Sequence, residues 1–289
     1  MKLGLKYKNE ERIFEEKEKN KVPYLSYPLF ENTGLVNHGF STRLGGVSTG
    51  CWYSMNISAA RGDSPEHVAE NRKRIAQAIG VREEDFTYTN QTHTTNVAVA
   101  REEDRGKQFL ETDGIVTDVP GICLVTFFAD CVPLYFVDPV KKAVGLSHSG
   151  WRGTAGKIGR VTVEKMKEEF GSNPEDILAA VGPSICQDCY EVSGDVIERF
   201  QEVFDRSLWR KLFYPVEPLT EHDICGIKER KYQLNLWEAN RQIFLEAGIK
   251  EEHIAVTNLC TCCNPELLFS HRAAGNRRGN LSAFLGLKE

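Results

Sequence analysis

Three side chains able to hold a soft divalent metal stand at the ends of apolar stretches. They are His93 in Gln91-Thr92-His93, Cys131 in Phe127-Phe128-Ala129-Asp130-Cys131-Val132-Pro133, and His148 in Leu146-Ser147-His148-Ser149-Gly150-Trp151-Arg152-Gly153-Thr154. Catalytic zinc is usually held by three His, Cys or carboxylate ligands with a fourth position open. The metal then activates a water or polarises a substrate atom. Two histidines and one cysteine suit that pattern. The trio spans more than fifty residues, so spacing alone leaves a second reading open: a loop histidine, a buried thiol and a capping histidine. Asp130 flanks Cys131. Within a strand the two would face opposite ways. Past a strand end Asp130 could anchor a histidine ligand or shuttle a proton, or it could simply accept a backbone N–H.

Other residues could serve anions or a second metal. The Gly-rich run from Ser147 to Thr154 leads from a strand towards a helix start, where free N–H groups attract anions. Arg152 adds charge there, although the run could equally be a plain connection. It lacks the spacing of a nucleotide-binding P-loop. Arg43, Arg272, Arg277 and Arg278 are further anion candidates. Cys186-Gln187-Asp188-Cys189 is a CxxC, and Cys260, Cys262 and Cys263 form another group. Together they could bind a structural zinc, or Cys186 and Cys189 could be a redox pair, though no thioredoxin-like βαβ follows them.

Positioning these groups requires strands. Val36–Arg43, Phe86–Thr89, Asn96–Ala100, Gly114–Thr117, Ile122–Phe128, Leu134–Val137, Ala143–His148, Ile177–Val181 and, as the last, Ile254–Thr257 read as strands. Pro139-Val140-Lys141-Lys142 makes a turn, so the strands beside it should form an antiparallel hairpin. That hairpin would bring Cys131 and His148 to one end. Asp63-Ser64-Pro65-Glu66 starts a helix that Gly80 stops, with Val68, Ile75 and Ile79 facing in. Further helices are expected over Thr154–Phe170, Ser193–Arg206, and from an Asn235 cap to Gly248. Residues 1–21 read as an exposed or frayed edge and 207–231 as irregular. The simplest architecture is α/β: packed mixed β-sheets flanked by helices, with 1–30 as an N-terminal edge segment and 31–289 as one catalytic domain.

Composition narrows the class. The chain has 289 residues, 41% hydrophobic and 27% charged, with net charge -5. No basic block suggests nucleic acid. The longest apolar run, Ile122 to Val137, contains Asp130 and Pro133 and is too short to cross a bilayer. The opening stretch is rich in Lys and Glu, unlike a signal peptide. A cytoplasmic, reducing location is therefore expected, with the nine cysteines as thiols or ligands. No heptad or long apolar helix face is evident, so a monomer is expected.

The ordered set of motifs resembles a bacterial laccase-domain family, known under the names multi-copper polyphenol oxidoreductase, purine nucleoside phosphorylase and peptidoglycan editing factor. The matching residues are His38-Gly39-Phe40-Ser41-Thr42-Arg43, Gly45-Gly46-Val47-Ser48, Met55-Asn56, Gly62-Asp63, Glu70-Asn71-Arg72, Gln91-Thr92-His93, Phe128–Pro133, His148–Thr154, Gly182-Pro183-Ser184-Ile185, Cys189-Tyr190-Glu191-Val192, Cys260-Thr261-Cys262 and Phe269-Ser270-His271-Arg272. The resemblance implies one α/β domain and a zinc held by His93, Cys131 and His148. It also implies phosphorolysis of adenosine, inosine and methylthioadenosine, and deamination of adenosine. On that view Asp130, Cys131 and His148 are the catalytic group. Arg43, Gln91, Arg152 and Arg272 would contact the purine nucleoside and phosphate. The family's closing Gly-Thr-Gly-Arg-like segment is altered here to Ala274-Gly275-Asn276-Arg277-Arg278-Gly279-Asn280, which leaves open which arginine takes its role.

Two other chemistries compete. A copper-dependent phenol oxidase could use the same trio, since copper outcompetes zinc for such ligands when supplied. A three-copper cluster, however, needs His-x-His pairs, and this chain has seven histidines and no such pair. A metal-free hydrolase, editing a peptidoglycan precursor, could use Cys131 as nucleophile and His148 as base.

Overall fold

The structure is a computed structural model describing residues 3–216 and 230–289. Strand and helix labels run along the chain. The first sheet has seven strands in the order β1-β2-β3-β16-β8-β4-β6. These are β1 (Glu15–Lys19), β2 (Val22–Ser26), β3 (Val36–Ser41), β4 (Phe86–Thr89), β6 (Gln108–Phe109), β8 (Cys123–Phe128) and β16 (Leu281–Leu287). The second has six, ordered β15-β11-β9-β10-β7-β5. Its members are β5 (Val97–Val99), β7 (Gly114–Thr117), β9 (Val132–Asp138), β10 (Ala143–Ser149), β11 (Leu178–Val181) and β15 (Ile254–Val256). A small antiparallel sheet joins β12 (Glu191–Ser193), β14 (Lys231–Leu234) and β13 (Phe213–Pro215).

The two large sheets are mixed, and their alternating side chains decide how they stack. Leu124 and Phe128 of β8 and Leu281, Ala283 and Leu285 of β16 meet Tyr135 and Val137 of β9 and Val144 and Leu146 of β10 in one core. The intervening residues face outward to helices. Cys123, Val125 and Phe284 pack under Ile75, Ala76 and Ile79 of α2 (Pro65–Ile79). Leu134 and Phe136 pack against α4 (Ile158–Phe170) and the helix Leu236–Glu246 (α7). The result is one α/β domain of helix, sheet, sheet, helix layers. Each fully buried aromatic, such as Phe128 or Phe136, contributes roughly 1.5–3 kcal/mol. The other helices are short or peripheral: α1 (Pro28–Glu31), α3 (Trp151–Ala155), α5 (Gly194–Val203), α6 (Trp209–Leu212) and α8 (His271–Ala274). Among the described residues, no helix is long and apolar enough to cross a membrane.

Several expectations need correction. Ile254–Val256 is not the last strand; Leu281–Leu287 follows and sits inside the first sheet, between β3 and β8. The helix expected over Thr154–Phe170 is broken, because Lys157 adopts a left-handed φ of 56° between α3 and α4. Of the two readings of the opening segment, residues 3–21 form an edge and not a frayed start. Although β1 is an edge strand, Leu5 and Phe14 are buried, and Lys6 N–H donates to Asn264 Oδ1 at 2.7 Å. Within the stretch expected to be irregular, α6 and β13 are formed, and residues 217–229 lie outside the described residues.

Candidate functional site

β8 belongs to one sheet and β9 to the other, so the chain must cross between layers in three residues, Ala129, Asp130 and Cys131. Asp130 makes the corner with φ 86°, a left-handed conformation that Asp tolerates better than most residues. Its carboxylate is tied down on both oxygens. Oδ1 accepts from Thr261 Oγ1 at 2.6 Å and Oδ2 from the Arg272 N–H at 2.6 Å. Cys131 follows at the mouth of the crossing. β10 then returns antiparallel to β9 with His148 opposite Pro133 and Ser149 opposite Val132. This hairpin carries His148 back to Cys131. By strand alternation His148 falls on the same face as Val144 and Leu146, between the sheets, and its ring lies 5.5 Å from that of Phe128.

His93 arrives from the connection between β4 and β5, with φ 63°. What fixes it is Asp113, a fully buried carboxylate just before β7. Asp113 accepts N–H bonds from Thr92 (3.1 Å), His93 (3.1 Å) and Thr94 (2.8 Å), and the Thr94 hydroxyl at 2.9 Å. The same carboxylate takes the Nδ1 of His148 at 2.8 Å. One aspartate therefore places both histidines. With Nδ1–H directed at the carboxylate, His148 keeps its Nε2 lone pair for the site.

The ligand atoms of His93, Cys131 and His148 all lie within 4.8 Å of one another, with Cys131 Sγ 4.0 Å from His93 Nε2. A side chain at Gly150 would intrude, since a Cβ there would come 3.0 Å from His93 Cδ2 and 3.1 Å from Cys131 Sγ. Convergent donors, an anchored histidine and this cleared space fit a metal ion. The charges of the three groups are coupled. Burial alone would raise the Cys131 thiol, but the charge and hydrogen bonds of His148 and His93 outweigh it and hold it at about 6. Burial opposes the His148 proton, yet the charge of Cys131 and the bond to Asp113 lift it to about 9. Asp113, despite its burial, is held at about 2 by His148 and the Thr94 N–H.

The trio opens onto a cavity of about 460 Å³. Phe127, Ile185, Tyr190 and Leu236 give it apolar walls, and Arg61, Arg272 and Arg278 give it cations. The Arg272 guanidinium lies 5.5 Å from the centre of the Tyr190 ring and donates to Glu191 O at 2.9 Å. Arg278 is only 6% exposed. Its Nη1 is used by Gly279 O and Asn280 Oδ1, while its Nε meets no acceptor among the described residues. Burial and the neighbouring Arg61 charge push Arg278 down to about 10.

Not every expected contact residue is at the cavity. Asp130 lines it but anchors neither His93 nor His148; that role belongs to Asp113. Gln91 borders it, yet its amide pairs both ways with the Phe127 backbone, at 2.7 and 3.0 Å, so it braces β8. Arg43 lies elsewhere, donating to Tyr53 O and Pro265 O and stacking on Phe269. It borders a separate cavity of about 140 Å³ together with Arg277. Arg152 does not line the main cavity and stacks 4.2 Å over Trp151. The run from Ser147 to Thr154 offers only the five-residue α3 as its helix, and Gly150 serves close packing. Of the two tail arginines, Arg278 faces the main cavity and Arg277 does not. Sequence reasoning missed Asp113, Arg61 and Thr261.

The family described as Multi-copper polyphenol oxidoreductase laccase matches residues 37–288. A protein named purine nucleoside phosphorylase YlmD from Bacillus subtilis is 37% identical over 268 residues, covering 90% of this chain and 91% of that one. Two solved structures share the fold: the Bacillus licheniformis hypothetical protein YfiH (TM-score 0.85, 35% identity, 96% of this chain and 100% of that one) and YlmD from Geobacillus stearothermophilus (TM-score 0.83, 33% identity, 96% and 99%).

Proposed function

This chain belongs to the multi-copper polyphenol oxidoreductase laccase family, and from that premise we propose that it is a zinc-dependent purine nucleoside phosphorylase that also deaminates adenosine. Its relatives named purine nucleoside phosphorylase support an enzyme of this kind. The observation that carries the reading is a buried arginine, Arg278, whose Nε–H is unmatched among the described residues, in the same cavity as the trio and two further arginines. A buried donor without an acceptor costs about 1–3 kcal/mol, and an oxyanion from solution would relieve it.

His93, Cys131 and His148 would hold the zinc, which when bound supplies Lewis acidity. The protein's own residues do the rest. Arg61, Arg272 and Arg278 bind phosphate, and among the described residues their three charges exceed the two negative groups lining the cavity, Asp130 and Cys131. Phe127, Ile185, Tyr190 and Leu236 exclude water and pack against the planar base. In phosphorolysis a phosphate oxygen bonds to ribose C1′ as the bond from C1′ to the purine nitrogen breaks, giving free base and ribose 1-phosphate. In deamination water adds at C6 of the purine and ammonia leaves. Asp113 holds His148 and His93 in register throughout. Adenosine, inosine and methylthioadenosine are the expected phosphorolysis substrates. Assay of adenosine and inosine with and without phosphate tests this: ribose 1-phosphate should form only when phosphate is present. A His148→Ala protein that keeps its zinc and both activities at wild-type level would overturn the assignment.

One observation favours a second reading. The low Cys131 thiol and high His148 imidazole are also what a thiol hydrolase needs. Activity lost to a chelator and restored by zinc argues for the metal route; an iodoacetamide adduct on Cys131 in metal-loaded protein argues for the thiol route. A multi-copper oxidase finds less support. Among the described residues, the two groups of clustered ligands contain two histidines between them. Metal analysis of protein purified without added copper distinguishes zinc from copper.

A further inference from the structure

Two more loops bring thiols together outside the main cavity. Cys186-Gln187-Asp188-Cys189 and Cys260-Thr261-Cys262-Cys263 each place two cysteines three positions apart, a spacing that lets both sulfurs of one turn face a common centre. The loops are laid side by side by a parallel bridge between Ser184 and Cys260 and by the Thr261 N–H bond to Ser184 O at 3.1 Å. As a result the sulfurs of Cys186, Cys189, Cys260 and Cys263 all lie within 4.8 Å of one another. Cys262, between two of them in sequence, is not in the group. Four sulfurs about 2.3 Å from a central zinc would stand about 3.8 Å apart at tetrahedral corners. The Cys189–Cys263 separation is 3.6 Å, close to that edge and far beyond the roughly 2.05 Å of a disulfide.

Backbone donors reach the cluster. The backbone N–H groups of Cys186 and Cys263 both point at Cys260 Sγ, at 3.2 and 3.4 Å, and donors aimed at a sulfur favour its charged form. Lys8 is paired with Asp188 at 2.9 Å, which fastens the N-terminal segment to the first loop beside the cluster.

We propose that Cys186, Cys189, Cys260 and Cys263 bind a structural zinc ion that staples the wall of the main cavity. Four protein thiolates leave no open position, so the ion takes no part in chemistry. Its work is mechanical. The first loop carries Ile185 and Tyr190 into the cavity wall, and Ile185 N–H is bonded to Asp130 O at 3.0 Å. The second carries Thr261, which holds the Asp130 carboxylate, and runs on to Asn264, which binds the N-terminal segment at Lys6. The zinc thus joins two stretches distant in sequence beside the corner that delivers Cys131, and Asn264 ties a third to them.

The test removes the other metal trio first. A His93→Ala/His148→Ala protein, prepared anaerobically, should retain one equivalent of zinc, and its X-ray absorption should show a sulfur-only shell of four at about 2.3 Å. Adding Cys189→Ser in that background should weaken zinc binding at least tenfold in a chelator titration. If the added substitution prevents folding, the absorption spectrum of the parent decides alone. Absence of zinc from the folded parent overturns the proposal, as does an intact mass showing a Cys189–Cys263 disulfide in the anaerobic protein. Iron in place of zinc, visible as thiolate-to-iron absorption, overturns the identity of the ion. Because the readout is metal content, these outcomes are independent of which reaction the main cavity performs.

Discussion

Asp113 carries more of the site than any residue that touches the cavity. Asp113→Asn keeps its size but turns one oxygen into a donor facing N–H groups that already donate to it. Metal affinity at the trio should fall by roughly 10–100-fold, measured by competition with a chelator, with circular dichroism unchanged. Arg278→Ala should raise the KM for phosphate about tenfold or more, the scale of a hydrogen bond to a charged group, with a smaller effect on the KM for nucleoside. His38 gives a pH signature outside the site. It is buried and accepts the Tyr27 N–H at 2.8 Å, and burial lowers its pKa from 6.5 to about 4. The unfolded chain therefore binds the proton first, and stability should fall as pH drops from 6.5 towards 4. His38→Gln, which keeps an acceptor, should flatten that slope in urea titrations across the interval. At this scale, what could be read from the sequence were Cys131 and His148, because a hairpin joins them locally. Asp113 could not be read. A Thr-Asp-Gly before a strand looks like any turn, and its five partners come from two other segments. Arg61 is equally plain in sequence and gains its meaning only when Arg278 of the tail is brought to the same cavity.

At the scale of elements, the hairpin of β9 and β10 and the capped helix α2 were legible because their cause is local: a turn, alternation, a Ser64 cap that accepts the His67 N–H. The missed elements owe their form to partners far away. β16 is buried along its whole length because it is covered by α2 on one side and the second sheet on the other, so no exposed polar face announces it. Leu285→Ala should cost about 2–5 kcal/mol in chemical denaturation, as expected for a fully buried position. Gly150→Ala probes the strand-to-helix junction. Its new methyl would meet His93 and Cys131, so metal loading should drop while the melting temperature of the metal-free protein stays within a few degrees. Purification under chelation followed by a zinc titration separates the two effects.

Across the whole molecule, the layered α/β architecture was legible from the number and spacing of apolar runs, while the order of strands was not. Sheet order depends on which edges find each other, and residues 281–287 pair with strands begun at Val36 and at Cys123. The early segment is likewise fastened to late residues, with Tyr7 bridged to Leu259 and the Lys8 N–H bonded to Asn258 O. Removal of residues 1–12 should therefore lower the melting temperature and increase hydrogen exchange at residues 258–264. The position of β16 also has a consequence for synthesis. During translation β3 and β8 are complete long before residues 281–287 leave the ribosome, so two strands destined to flank a common neighbour wait with open edges of unpaired N–H and C=O groups. Such edges invite pairing with the wrong chain. The nascent protein must either keep them apart or close them on each other and reopen, which makes arrival of the late strand the step at which crowding and chaperone supply decide the yield.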